Sequence, residues 1–264
     1  MMKVPGFLKV KISFAWTLVA ATLSSTAGER VSIYFGSGCF WGRQKDFADV
    51  EKQVLGRSSA EVTSLVGYAG GHPEAVKRRA CYYHAPHDLI YENQGHAEVT
   101  QVDLMGETVE DLERQMASFS EKFFTQFVRT ARGMQRTDPQ DRGPGYRTLV
   151  GIPGGMSPSA SEGDMFKVFA SKNVNHMDLV EGEGSEDDVV NTVFVMDSNK
   201  FPFYPAEMFH QFHDGLGHRF PEDYTQELRA TQVRLGRVKP TGCPEHGVDP
   251  HKHLVVHTLE VDDL

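Results

Sequence analysis

One cysteine stands where a thiol could act as a nucleophile. Cys39 lies in Gly36-Ser37-Gly38-Cys39-Phe40-Trp41-Gly42, between a strand-like run and a helix-like run. A thiol at a helix N-terminus meets the positive end of the macrodipole and unpaired backbone N–H groups. Both favour the thiolate, which is the reactive form. A free cysteine has a pKa of about 8.5, so a modest downward shift already raises the thiolate fraction near neutral pH. The flanking glycines, Gly38 above all, let the backbone approach a ligand closely. Phe40 and Trp41 follow at once, and two adjacent aromatics do not both face the core from a surface helix, so one is expected to line a pocket. A small buried structural cysteine has the same signature, and spacing alone leaves the two readings level. With Cys81 and Cys243 the cysteines number three. That is too few for a disulfide scaffold in a chain this long, and the odd count points to at least one thiol kept for chemistry.

The elements that must position Cys39 are legible on both sides of it. Val31 to Phe35 is β-branched and aromatic and reads as a buried strand. A helix is predicted from Cys39 or Phe40 to about Leu55, with Phe40, Phe47, Val50 and Val54 on one side, ended by Gly56. Glu61 to Tyr68 reads as a second strand, stopped by Gly70-Gly71. The loop that follows is long enough to suggest function. His96 to Leu104 alternates as a half-buried strand does. Thr108 and Asp111 form a capping-box-like start for a helix carrying Leu112, Met116, Phe119, Phe123 and Phe127 as a core stripe. Tyr146 to Ile152 reads as a fourth strand. The order β-α-β-β-α-β is the ferredoxin-like pattern and predicts an α+β fold. Thr192 to Met196 is expected to add a strand and Pro205 to Leu216 a short helix, while the acidic segment from Glu181 to Asp188 reads as solvated decoration.

Composition sets the outer limits. The chain of 264 residues is 39% hydrophobic and 24% charged, ordinary values for a globular protein. A formal net charge of -9 argues against a nucleic-acid surface, which needs a basic face. No stretch approaches the length of a bilayer span. Residues 1–27 hold Lys3, Lys9 and Lys11 and no acid, then an apolar run from Ile12 to Leu23, then Ser25 and Ala27 at cleavage-site spacing. This is the layout of a targeting peptide. It predicts routing to the secretory pathway or an organelle, against a cytoplasmic alternative in which the segment is a buried helix. The expected organisation is a leader at 1–27, a catalytic domain at 28–238 and an irregular, mobile tail at 239–264 that carries Cys243.

Several short segments, taken together, carry a resemblance. GCFWG after a buried strand, VGYAGG at 66–71, GHAEV at 95–99, the run from Asp141 to Arg147, and Pro205-Ala206-Glu207-Met208-Phe209-His210-Gln211 occur in this order. Their sequence is similar to that of the A-type peptide methionine sulfoxide reductases. The resemblance implies a two-layer α/β sandwich around the ferredoxin-like core and reduction of the S epimer of methionine sulfoxide, free or in oxidised proteins, with no bound cofactor; a monomer is expected. Cys39 then matches the nucleophile that attacks the sulfoxide sulfur. Glu98 matches the acid that protonates the departing oxygen, a task that requires it to stay neutral, as burial arranges. Tyr146 matches a tyrosine that bonds the sulfoxide oxygen, and Asp141 an aspartate that orients the site or its water. Phe40 and Trp41 match the pair receiving the substrate methyl group. A second tyrosine belongs upstream of Glu98. Tyr91 is favoured as the nearest before Gly95, with Tyr82 and Tyr83 competing. His96 shares a strand face with Glu98 by period-two geometry and reads as structural before it reads as a tuning group. After attack Cys39 becomes a sulfenic acid. A resolving thiol condenses with it, and an external dithiol such as thioredoxin reduces the product. Cys243, in Thr241-Gly242-Cys243-Pro244, suits the resolving role, although this tail departs from the family's commonest form; Cys81 is its rival.

Other readings of the same residues remain open at this point. Cys81-x-x-His84 and Cys243-x-x-His246 together have the donors of a tetrahedral zinc site, which would consume both candidate resolving thiols. A Cys–His hydrolase with His96 or His210 as base lacks any accompanying signature. A non-catalytic module on the same fold is disfavoured by the joint presence of Cys39, Glu98, Tyr146 and Asp141.

Overall fold

The structure, a computed structural model, describes Met1 and residues 29–75, 79–137, 141–157, 164–215 and 217–245. The predicted leader, His246 and the rest of the tail lie outside the described residues. The sheet is built from β1 (Glu29–Gly36), β2 (Leu65–Ala69), β3 (Ala97–Gly106), β6 (Leu149–Ile152), β7 (Asp178–Glu181), β8 (Thr192–Asp197) and β9 (Tyr204–Pro205). A separate hairpin pairs β4 (Phe127–Thr130) with β5 (Gly133–Arg136). The helices are α1 (Phe40–Asp49), α2 (Val109–Phe124), α3 (Met165–Ser171) and α4 (Arg229–Arg234).

The seven-stranded sheet runs β7-β8-β6-β1-β3-β2-β9. Its centre, β6-β1-β3-β2, is antiparallel throughout, with β3 inserted between the two strands that α1 connects. This is the ferredoxin-like order expected from the β-α-β-β-α-β reading. β8 pairs parallel to β6, and β7 parallel to β8, which widens the core sheet on one side. No helix among the described residues is long and apolar enough to cross a membrane.

The predicted apolar stripe packs as core. Leu112, Met116, Phe119 and Phe123 of α2 are all wholly buried. Phe123 lies 5.4 Å from Phe35 of β1, which stacks on Phe47 of α1 at 4.9 Å. Burial of such side chains contributes about 1.5–3 kcal/mol each. The Thr108 side chain caps α2 by accepting the Asp111 N–H. The helix ends at Phe124, so Phe127 begins β4 instead of extending the stripe.

Three other expectations shift. The strand predicted from Tyr146 begins only at Leu149, because Pro144–Tyr146 forms a 3₁₀ turn. The helix predicted over Pro205–Leu216 is replaced by the end of β9 and a single 3₁₀ turn, Met208–His210. The side chain of Gln211 accounts for this: it donates to the carbonyls of Val66 and Ala206 and accepts the Val66 N–H, so the segment is stitched to β2 as a strand edge. The tail is not mobile at its start. Arg79 donates to the Gly242 carbonyl, Glu245 accepts the N–H groups of Met208 and Phe209, and Cys243 is disulfide-bonded to Cys81.

Behind α1 sits a buried ion pair that the hydrophobic pattern conceals. Glu51, wholly buried, accepts the N–H and hydroxyl groups of both Thr63 and Ser64 and pairs with Arg57. Arg57 in turn donates to the Asp103 carbonyl of β3 and to Gln115 of α2. The pair ties the end of α1 to the sheet and to α2. Glu51→Ala strands a buried guanidinium and is expected to cost about 3–5 kcal/mol, read as a fall in the urea midpoint at unchanged slope.

Candidate active site

The turn from β1 into α1 places Cys39 as the N-cap of α1, half-exposed and outside the Cys81–Cys243 disulfide. Two glycines make that turn possible. Gly38 holds φ of +81°, a left-handed conformation, and its N–H donates to the Tyr146 carbonyl. A Cβ on Gly36 would lie 2.9 Å from the Glu98 carbonyl of β3. The close approach of β1 to β3 thus brings Glu98 beside the start of the helix. The Glu98 carboxylate oxygen Oε2 accepts the Phe40 N–H at 3.0 Å. Glu98 is buried, and desolvation pushes its carboxyl well above the ordinary carboxylate range. The Phe40 N–H opposes this, while the charges of Asp141 and Glu92 add to it.

A cage of tyrosines surrounds that carboxyl. Tyr91 is wholly buried, stacks on Tyr68 at 4.5 Å, and its hydroxyl donates to Glu92 Oε1 at 3.4 Å and lies 3.4 Å from the Tyr83 hydroxyl. Glu98 lies within electrostatic reach of the Tyr91 hydroxyl. The competing Tyr82 and Tyr83, on the long loop between β2 and β3, are the more open ones. Tyr82 is within electrostatic reach of both Glu98 and Cys39, and burial followed by Glu98 raises its hydroxyl. Tyr83 is 42% exposed, pushed up to about 12 by burial, and donates its hydroxyl to Glu92 Oε1 at 2.8 Å. Tyr146 is half-buried on its 3₁₀ turn, raised by burial and then by Glu98. The predicted pair of aromatics divides as expected: Phe40 is buried against Tyr68 and His210, while Trp41 is half-buried and stacks on His213 at 4.3 Å.

Two arginines fix the opposite wall. Arg136 of β5 donates to the Asp141 carbonyl and pairs bidentately with Asp188. Arg147, wholly buried, donates to the carbonyls of Pro144 and Gly70 and pairs with Glu186. The acidic segment read as solvated decoration therefore supplies the counterions. Burying two guanidinium groups without them would be prohibitive. Sequence reasoning missed Glu186 and Asp188 because an acidic run carries no sign of which cations it faces. Their effect is to hold the Asp141–Tyr146 segment against Gly38 and Gly70.

The remaining candidates separate from this cluster. His96 accepts the Gly71 N–H at Nδ1 and is held down to about 4 by burial, as a structural histidine. His210 packs among Phe40, Trp41 and Tyr82, its Nε2 3.9 Å from Glu207. Cys81 and Cys243 are joined to each other, with Cα atoms 5.6 Å apart. In this state Cys243 is not a travelling thiol. The pair is also closed to zinc, because metal binding needs free thiolates; His84 is exposed, and His246 lies outside the described residues.

Three comparisons with known proteins bear on these residues. The chain is 28% identical over 151 residues to peptide methionine sulfoxide reductase MsrA 1 of Nostoc sp., covering 56% of this chain and 77% of that one. Among solved structures it is similar to methionine sulfoxide reductase A of Corynebacterium diphtheriae, with a TM-score of 0.42, 20% identity, and 72% and 77% of the two chains covered. It is also similar to Mxr1 from Saccharomyces cerevisiae in reduced form, with a TM-score of 0.38, 22% identity, and 69% and 83% covered. The model of the family described as peptide methionine sulfoxide reductase matches residues 31–232, a span that takes in Cys39, Glu98, Asp141 and Tyr146. On that match the chain belongs to the peptide methionine sulfoxide reductase family and is an oxidoreductase acting on methionine sulfoxide.

Proposed function

We propose that the chain reduces the S epimer of methionine sulfoxide, free or protein-bound, through Cys39 as nucleophile and Glu98 as acid. The observation that carries this reading is the Phe40 N–H to Glu98 bond, which sets a buried carboxyl beside the N-cap thiol. The Cys39 thiolate, favoured by the helix N-terminus, attacks the sulfoxide sulfur while Glu98 protonates the oxygen. The new Cys39 S–S bond lets the protonated oxygen take a second proton and depart as water. A solvent water then attacks the Cys39 sulfur, losing its proton. The S–S bond breaks, methionine leaves as the thioether, and Cys39 remains as a sulfenic acid. Tyr82, Tyr83 and Tyr146 supply hydroxyls for the sulfoxide oxygen, Trp41 and Phe40 the apolar wall for the methyl group, and Asp141 negative charge that keeps Glu98 protonated.

Regeneration uses the other two cysteines in their reduced form. The Cys243 thiol condenses with the sulfenic acid, releasing water and forming a Cys39–Cys243 disulfide. Cys81 then attacks the Cys243 sulfur, freeing Cys39 and leaving the Cys81–Cys243 pair that the structure contains. An external dithiol of the thioredoxin kind reduces that pair by exchange. No resident cofactor enters the cycle, and the enzyme works as a monomer. The segment at 1–27 routes it to the secretory pathway or an organelle.

The test is a single turnover without external reductant. Fully reduced protein, given one equivalent of S-sulfoxide, is expected to release one methionine per chain from attack at Cys39 and to end with Cys81 joined to Cys243 by peptide mapping. Equal consumption of the R epimer would overturn the stereochemical assignment. Mapping of Cys81 and Cys243 as unpaired thiols after turnover would overturn the relay.

A further inference from the structure

The relay ends on a disulfide with a marked asymmetry of surroundings. Cys81 is wholly buried at 0% exposure, whereas Cys243 is only part-buried. A cavity of about 300 Å³ opens nearby, lined in part by Ala80, which precedes Cys81, and by Thr241, two residues before Cys243. An incoming thiolate therefore attacks the Cys243 sulfur, and Cys81 is the sulfur that must leave. A thiolate released at a fully desolvated position is costly, and exchange is faster the better the leaving thiol is stabilised. The Cys81 sulfur needs a proton where no water reaches it.

The group in place to give one is a carboxyl that the sulfoxide chemistry does not use. Glu207, 1% exposed, has a carboxylate oxygen within 4.8 Å of both sulfurs of the pair. It is anchored to the cysteine segment itself, since the Tyr82 N–H, directly after Cys81, donates to Glu207 Oε1 at 2.7 Å. From β2 the Tyr68 hydroxyl donates to Oε2 at 2.8 Å. His210 Nε2 stands 3.9 Å away on the same turn. From the tail, Glu245 adds a negative charge near the site, and Arg79 is committed to the Gly242 carbonyl. We propose that Glu207 is the acid–base group of the Cys81–Cys243 pair, donating a proton to Cys81 when the disulfide is reduced and taking it back when Cys81 closes the relay. Reduction then balances as follows. One thiolate of an external dithiol bonds to the Cys243 sulfur, and Cys81 leaves with the electron pair and takes the Glu207 proton. The second thiol of the reductant displaces Cys243, giving two protein thiols and an oxidised reductant. Burial, reinforced by Glu245, raises the Glu207 carboxyl above its ordinary range, against the opposing bonds from Tyr82 and Tyr68. The proton is thereby present at higher pH than on an exposed glutamate.

This inference rests on the relay reading for its biological use but is testable without it. In full-length protein carrying Cys39→Ser, Cys81–Cys243 is the one disulfide formed, and its reduction by dithiothreitol is followed from pH 5 to 9. Rates are divided by the dithiothreitol thiolate concentration. With Glu207 present, the normalised rate is expected to fall as pH rises through the carboxyl's pKa. In Glu207→Gln it should be flat and, at the acidic end, lower by about tenfold to a hundredfold. Glu207→Asp should restore the bend in the profile with smaller amplitude. Unfolding exposes the sulfurs and speeds reduction, so misfolding cannot imitate the expected slowing, and in denaturant all three proteins should react alike. Superimposable normalised profiles for glutamate and glutamine would overturn the proposal. The relay itself is judged separately by Cys243→Ser on a wild-type Cys39 background. Dithiol-driven turnover equal to wild type would remove the relay and leave the Glu207 result standing.

Discussion

Cys39→Ser is expected to lose methionine formation to background, a fall on the order of 10⁴-fold or more, as removal of a covalent nucleophile does in other enzymes. The physical reason is ionisation. A thiol with a pKa of about 8.5 yields thiolate near neutral pH, whereas a serine hydroxyl at the same position stays neutral. The Cys39 side chain makes no capping hydrogen bond to α1 and is half-exposed, so the start of the helix should survive the substitution. The loss should appear even in the single turnover without reductant, which separates it from a failure of regeneration. Methionine released from reduced Cys39→Ser at the wild-type rate would place the nucleophile elsewhere in the chain.

Glu98→Gln should lower the rate of the sulfoxide step by about 10²–10⁴-fold, the usual worth of a positioned acid. The glutamine carbonyl can still accept the Phe40 N–H, so the turn at Cys39 is preserved. What disappears is the proton. In the wild type the acid form is the active one, so the chemical step, corrected for thiolate, should fall as pH rises through the raised pKa of Glu98. The glutamine variant should lack that limb. Stability supplies an independent check with its own sign. Because burial raises the folded carboxyl above its unfolded value of about 4.3, the native state holds the proton more tightly, and stability is lost as pH rises between the two values. Each unit of that gap is about 1.4 kcal/mol. Glu98→Gln should therefore match the wild type near pH 4 and gain on it steadily at higher pH, read from urea unfolding across the range. A stability difference that does not change with pH would show that Glu98 is ionised in the native state, and the acid role would fall with it.

The turn at Cys39 was legible in the chain, because a thiol between a buried strand and a helix start, flanked by glycines, is written in consecutive residues, whereas Glu98, Asp141 and Tyr146 stood out only through the resemblance of their segments. Periodicity then fixed the β-α-β-β-α-β order, since apolar spacing reports which face of an element is buried. The turn at Tyr146 and the strand edge at Tyr204–Pro205 escaped this reading, because partners far along the chain decide them: Arg147 reaching Gly70, and Gln211 reaching Val66. The same holds for Glu186 and Asp188, whose acidic run names no cation, and for Glu51 and Arg57, whose pairing overrides the expectation that charges face water. The sequence brought Cys81 and Cys243, 162 residues apart, together only as zinc ligands; that they meet as a disulfide with Glu207 against them depends on the fold. Sequence determined which groups have the chemistry, since that is a property of each side chain and its immediate turn. Tertiary structure decided which of them stay neutral, which are paired and which face one another, because desolvation and pairing depend on what the rest of the chain packs against them.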